Sequence, residues 1–184
     1  MSFPEIPGEA TPDQQAPLVV NIAIIPALEE QAPILANMFE LYAHDFSEFI
    51  DLRLGADGRF GYTYLPMYWK EPGHYPFFIL VNGSFAGFVF VRKGSRISGA
   101  ANVWDIAEFF ILRGFRRAGI GSRVAMSVWQ QFPGQWEVRV LQRNQQARKF
   151  WTCAIDAFTG RNNEPVALHK DGEDWFVYSF VSTA

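Results

Sequence analysis

The chain of 184 residues has one cysteine, Cys153, and three histidines, His44, His74 and His169. One cysteine excludes a disulfide within the chain and fits a reducing compartment, so a cytoplasmic setting is expected. Cys153 itself reads as a small apolar helix residue rather than a reactive thiol. Scattered histidines give no metal-ligand spacing, so no metal is expected, and no Ser-His-Asp set is identifiable. No apolar run approaches the ~18 residues of a membrane span. The N-terminus lacks the basic and apolar regions of a secretory signal. No membrane partner is therefore expected. Positive charge is not in excess: the formal net charge is −3. That argues against a nucleic-acid partner, which usually requires a basic face, and fits weakly with a cationic substrate. No internal repeat is seen.

Apolar residues make up 49% of the chain and aromatic residues 16%, enough to build the core of one domain of ordinary size. The first 17 residues contain four prolines and no Lys or Arg. They read as a poorly ordered tail, leaving 18–184 as a single domain.

Hydrophobic periodicity divides that domain. A β-branched run predicts a strand over 19–25, ended by Pro26. A helix follows over 27–50, its regular part starting near Pro33, with a break open at Ala43-His44-Asp45. Residues 54–74 have no clear period and read as an aromatic loop. Strands over 75–81 and 85–92 flank Asn82-Gly83, a strong hairpin signal. A strand over 103–112 leads to a helix over 120–132, with Ile120, Val124, Val128 and Phe132 on one stripe. A strand over 136–141 precedes an amphipathic helix over 144–158, whose apolar face carries Ala147, Phe150, Trp151, Ala154, Ile155 and Phe158. Strands over 166–169 and 175–181 close the chain around Asp171-Gly172. The hairpins exclude an all-parallel sheet, so a mixed α/β domain is expected.

The most informative stretch runs from Asp105 to Val124. A strand passes into a basic, glycine-bearing loop and then a helix. Loop amides and the positive end of the helix dipole converge there, an arrangement suited to an anion. Gly119 and Gly121 carry no Cβ and would let a phosphate near the backbone, with Arg116 and Arg117 adding charge. A Walker A loop is excluded, because Ile120 and Gly121 stand where Lys and Ser/Thr belong. A dinucleotide fingerprint lacks its third glycine, the position held by Val124.

What remains is Arg116-x-x-Gly119-x-Gly121, followed one strand later by Asn144-x-x-Ala147-x-x-Phe150-Trp151. Together these resemble the GNAT N-acetyltransferase superfamily, whose motifs read [QR]-x-x-G-x-[GA] and N-x-x-A-x-x-F-Y. The resemblance runs from about Tyr75 to Phe158. It implies a central, mostly antiparallel sheet flanked by helices, acetyl-CoA as cosubstrate, and direct transfer of the acetyl group to a primary amine of a small-molecule or peptide acceptor. A homodimer is left open. The resemblance also implies that the strand before the loop splays from its neighbour. The pantetheine arm would then meet backbone groups of about Phe109 to Arg113, among them Phe110, Ile111 and Leu112. The diphosphate would meet the amides of Arg116, Arg117, Ala118, Gly119, Ile120, Gly121 and Ser122. Asn144 and Ala147 would border the arm, and Trp151 the thiol region, with Phe150 read as core.

Glu108 is the first candidate for general base, because it lies on the strand beside the expected thioester, and Asp105 is the second. Strand alternation sets them on opposite faces unless a bulge intervenes. Pairing with an arginine is the alternative role for each. The family's usual tyrosine is Trp151 here, and an indole is no practical proton source. Tyr178, Tyr62 or Tyr64 could enter instead, or the thiolate could leave unaided. That departure supports an alternative, a non-catalytic acyl-CoA binding or sensing domain. For the acceptor, Asp45, Glu48 and Asp51 could attract an ammonium that Tyr62, Tyr64, Tyr68 and Trp69 enclose; otherwise these residues are a solvated helix face and a packed lid.

Overall fold

The computed structural model describes residues 20–183. The expected tail at 1–17 lies outside them. Seven strands form one sheet in the order β1-β2-β3-β4-β5-β7-β6. They are β1 (Ile22–Pro26), β2 (His74–Val81), β3 (Ser84–Lys93), β4 (Val103–Ile111), β5 (Gly134–Leu141), β6 (Val166–Lys170) and β7 (Glu173–Ser182). All neighbours pair antiparallel except β4 and β5, which are parallel. The helices are α1 (Ala32–Phe46), α2 (Met67–Lys70), α3 (Ile120–Gln131) and α4 (Gln145–Thr159).

β3 shows how the layers are built. It is apolar on both faces, as a central strand covered on both sides must be. Val89 and Val91 pack with α3 and α4 through Val124, Val128 and Ile155. Phe88 and Phe90 point the other way, onto Leu35 and Phe39 of α1. Both phenylalanines are fully buried, and each contributes about 1.5–3 kcal/mol of burial free energy.

Local chemistry sets the element ends. Pro33 sits in the first turn of α1, where its missing N–H costs no helical bond. The helix then runs unbroken to Phe46, so the break open at Ala43 to Asp45 does not occur. Asn82 and Gly83 both have positive φ, 50° and 80°, as a two-residue turn between twisted strands requires. α4 starts where Asn144 Oδ1 accepts the Ala147 N–H at 2.9 Å, so the Asn-x-x-Ala spacing is that of a helix N-cap and its third residue. The first strand begins at Ile22 rather than residue 19. Cys153 is exposed, not packed as an apolar residue.

β4 positions everything that follows, through two irregularities. Phe90 lies opposite Glu108 while the next residue, Val91, lies opposite Ile106. Ala107 therefore has no partner, and β4 carries a bulge. In addition, β4 and β5 pair only at Val103–Gln135, Trp104–Trp136 and Asp105–Glu137. Beyond Asp105 the two strands part.

Candidate active site

The gap between the parted strands opens into a cavity of about 430 Å³. Its walls include Glu108 and Phe109 of β4, Arg139 of β5, and Asn144, Ala147 and Trp151 at the start of α4. Across the sheet, α1 and the 50–62 loop contribute Tyr42, Phe46, Phe60 and Tyr62. A second space of about 210 Å³ adjoins it, bounded by Tyr62, Tyr64, Tyr68, Arg92, Glu108 and Arg139.

Backbone groups facing the gap follow from pairing. The Leu112 N–H donates to Ala86 O at 2.8 Å. In an antiparallel ladder the hydrogen-bonded pairs alternate, so Phe110 also turns its polar groups to β3, and Phe109 and Ile111 turn theirs to the gap. Of the three residues Phe110, Ile111 and Leu112, only Ile111 can offer a main-chain N–H there. Its carbonyl is already used: Arg116 Nε donates to Ile111 O at 2.6 Å.

The following loop is shaped by two left-handed residues, Arg117 at φ 64° and Gly119 at φ 71°. Gly119 caps α3 at its N-terminus. Among the described residues, the N–H groups from Arg117 through Ala118, Gly119, Ile120 and Gly121 to Ser122 find no protein acceptor. Unpartnered amides at a helix N-terminus form an anion site.

A Cβ on Gly121 would lie 3.1 Å from Phe150, so this glycine also makes room for the α4 aromatic. One detail differs from expectation. The Arg116 guanidinium does not point into the loop; it turns back to Ile111 and also donates to Asp45 at 2.6 Å. Arg113 donates to Asp45 as well. Burial alone would raise the Asp45 pKa, but bonds from Arg116 and Arg113 hold it below the ordinary carboxylate value. Of the acids considered for the acceptor, Asp45 is occupied, Asp51 pairs with Arg53, and neither they nor Glu48 lines the cavity, in keeping with the solvated-face alternative.

The bulge at Ala107 places Asp105 and Glu108 on the same face, correcting the simple alternation. Asp105 is 2% exposed. Arg139 donates to both its oxygens, at 2.6 and 2.7 Å, and Arg92 donates to one. Arg139 is held further by a 3.1 Å bond to Ala107 O. Burial disfavours the Arg139 charge, yet Asp105 and Glu108 outweigh it and raise its pKa. Glu108 pairs with no cation among the described residues. Tyr42 donates to Oε2 at 2.8 Å and Tyr62 to Oε1 at 3.1 Å. Burial is the largest influence on Glu108 and lifts its pKa above the ordinary value, with Arg139 and the two tyrosines pulling in the opposite sense. Burial and the Glu108 charge push Tyr42, Tyr62 and Tyr68 up, so all three remain protonated donors.

Trp151 is buried against Phe109, with ring centroids 5.0 Å apart, and forms part of the cavity wall. Phe150 packs on Phe109 and lies outside the cavity. Tyr178 is buried and shares a 2.5 Å hydrogen bond with Thr152, away from the gap. Trp69 donates to Ala27 O and forms part of the core under α1. Tyr42, Arg92 and Arg139 were missed from the sequence. Alternation gave no signal for Arg139: it sets this residue with Gln135 and Glu137, opposite Trp136, Val138 and Val140, as on a solvated face.

With this geometry in hand, comparison with known proteins decides the family. The sequence model of the Acetyltransferase (GNAT) family matches residues 35–154. The chain belongs to the GNAT family. No curated protein matches it by sequence. Similar solved structures include an acetyltransferase from Thermus thermophilus, with 15% identity over 89% of this chain and 98% of that one, TM-score 0.63. Aminoglycoside acetyltransferase AAC(6')-Ib in complex with coenzyme A shares 11% identity over 88% and 95%, TM-score 0.65. Arabidopsis thaliana NAA60 in complex with acetyl-CoA shares 12% over 88% and 98%, TM-score 0.56. At these identities the likeness is one of fold: a mixed sheet flanked by helices. The family is one of acetyltransferases that use acetyl-CoA, and the parted strands with the free loop amides fit that cosubstrate. Among the described residues no group of three or more His, Cys, Asp or Glu is placed to hold a metal ion. No described helix is long and apolar enough to cross a membrane.

Proposed function

We infer that the protein transfers the acetyl group of acetyl-CoA directly to a primary amine, with Glu108 as general base. The observation that carries this reading is a carboxylate in the β4–β5 gap, without a salt bridge among the described residues and held by two tyrosine hydroxyls. Acetyl-CoA supplies the activated thioester. The amides of Arg117 to Ser122 hold its diphosphate, with the dipole of α3 behind them. Asn144 Oδ1 is spent on its cap, so only its amide is left to bond the pantetheine arm. Trp151 and Ala147 border the thiol region.

Glu108 accepts a proton from the incoming ammonium, leaving an amine lone pair free to attack. The new N–C bond forms as the C–S bond breaks. The amine nitrogen gives up two protons in all, one to solvent through Glu108 and one to the departing thiolate. The Ile111 N–H is the main-chain donor available to the developing oxyanion. Tyr62 is ill suited as the acid, since its proton is engaged by Glu108 and its pKa is pushed up. Tyr178 lies outside the cavity. A thiol with a pKa of ~8.5 leaves acceptably as thiolate. Asp105, fully taken by Arg92 and Arg139, acts as structural counter-ion.

Gly119→Glu tests the cosubstrate half of this reading. An anion set among the loop amides repels a diphosphate, so calorimetry should show acetyl-CoA affinity lost by about 100-fold or more, ~3 kcal/mol. Unchanged affinity would remove the loop from the site.

A further inference from the structure

Resting on the acetyl-transfer reading, we propose that the acceptor is a hydrophobic monoamine: one primary amine on an aromatic or branched apolar body, and not a polycation. The cavity beyond Glu108 is walled by Tyr42, Phe46, Phe60, Tyr62 and Trp175, flat apolar and π faces that suit an aromatic body next to a cation. Its charges are nearly all spoken for. Asp171 lies 3.9 Å from Arg96, and Glu173 is bonded to Arg143. Among the described residues, Glu108 is thus the one carboxylate in the wall that forms no salt bridge, although the Arg139 charge reaches it. One ammonium can be matched there and no second one.

The adjoining space reinforces the discrimination. Arg92, Arg96, Arg139 and His74 border it, with Glu108 again its sole carboxylate among the described residues. Arg92 and Arg139 share the single charge of Asp105, so once Glu108 is matched to one ammonium this side carries surplus positive charge. Any additional ammonium on the acceptor would be driven against guanidinium groups. The aromatic wall and the surplus arginines select in the same direction: the first favours an apolar body, and the second rejects a second cation.

The test compares phenethylamine and tryptamine with spermidine and kanamycin, as acceptors and as ligands of the CoA-bound protein by calorimetry. The two monoamines should be acetylated with kcat/KM about 100-fold or more above the polycations, and phenethylamine alone of the calorimetric pair phenethylamine and spermidine should bind. Phe60→Glu, in a loop at the cavity mouth, should raise spermidine turnover and lower that of phenethylamine. Equal rates, a preference for spermidine or kanamycin, or no phenethylamine binding would overturn the acceptor assignment. Phenethylamine binding without transfer to any amine would uphold the pocket and overturn only the catalytic reading.

Discussion

Asp105 and Glu108 are three residues apart on one strand and share one face, yet their surroundings are opposite. Asp105 stands where β4 is paired on both sides, and two guanidinium groups close on it. Glu108 stands just past the point where β5 parts from β4, and among the described residues only hydroxyl groups hydrogen-bond to it. The first carboxylate is neutralised and fixed. The second keeps an ionisable charge in a partly desolvated place, which is what a base working near neutral pH requires. A single bulge at Ala107 makes the pair possible. It turns Glu108 onto the face where Asp105, Arg92 and Arg139 already lie, so the fixed ion cluster acts on the reactive one. The lesson is that sheet pairing divides the labour: closed sheet holds structural charge, and opened sheet exposes chemical charge.

Substituting each carboxylate in turn should separate these roles. Glu108→Gln keeps the shape and removes the base. Its kcat should fall by about 10²–10⁴-fold, while acetyl-CoA affinity and thermal stability stay near those of the wild type. An unaltered rate would move the base elsewhere. Asp105→Asn should do the reverse. It leaves Arg92 and Arg139 with an uncompensated buried charge, at a stability cost of about 3–5 kcal/mol, read by urea unfolding. A wild-type unfolding midpoint would show that the arginine clamp is not structural.

The smallest effect is a shift in pH dependence. Because burial raises the Glu108 pKa, the rate should climb with pH through a midpoint above the ordinary carboxylate range, then level off. Tyr42 donates to the charged form of Glu108, so Tyr42→Phe should move that limb to still higher pH and leave the plateau close to wild type. Titration of the acceptor amine itself also raises the rate with pH, and the Glu108→Gln profile isolates that part. A limb that stays in place in Tyr42→Phe would mean the hydroxyl does not tune Glu108.

Much of this architecture was legible because its signals are local. Asn82-Gly83 needed only its two positive φ angles, and the stripe Ile120, Val124, Val128 needed only helical spacing. The strand–loop–helix from Asp105 to Val124 likewise declared its order and its glycine cap. The site was less legible, because its decisive contacts join distant segments. Nothing near Tyr42 announces that its hydroxyl will meet Glu108, 66 residues on. The bulge that cancels alternation between Asp105 and Glu108 is set by pairing with β3, not by the β4 sequence. Arg116 illustrates the same limit. Its place in the motif suggested a phosphate ligand, while Asp45 on α1 and the Ile111 carbonyl claim its guanidinium. Gly121 likewise answers to Phe150 on another helix.

Hydrogen–deuterium exchange of the loop with and without acetyl-CoA tests the central claim most directly. The amides of Arg117 to Ser122 have no protein acceptor among the described residues, so they should exchange fast alone and be slowed by acetyl-CoA, together with the Ile111 amide in the β4–β5 gap. Saturating acetyl-CoA that protects some other segment and leaves these amides unchanged would contradict the account.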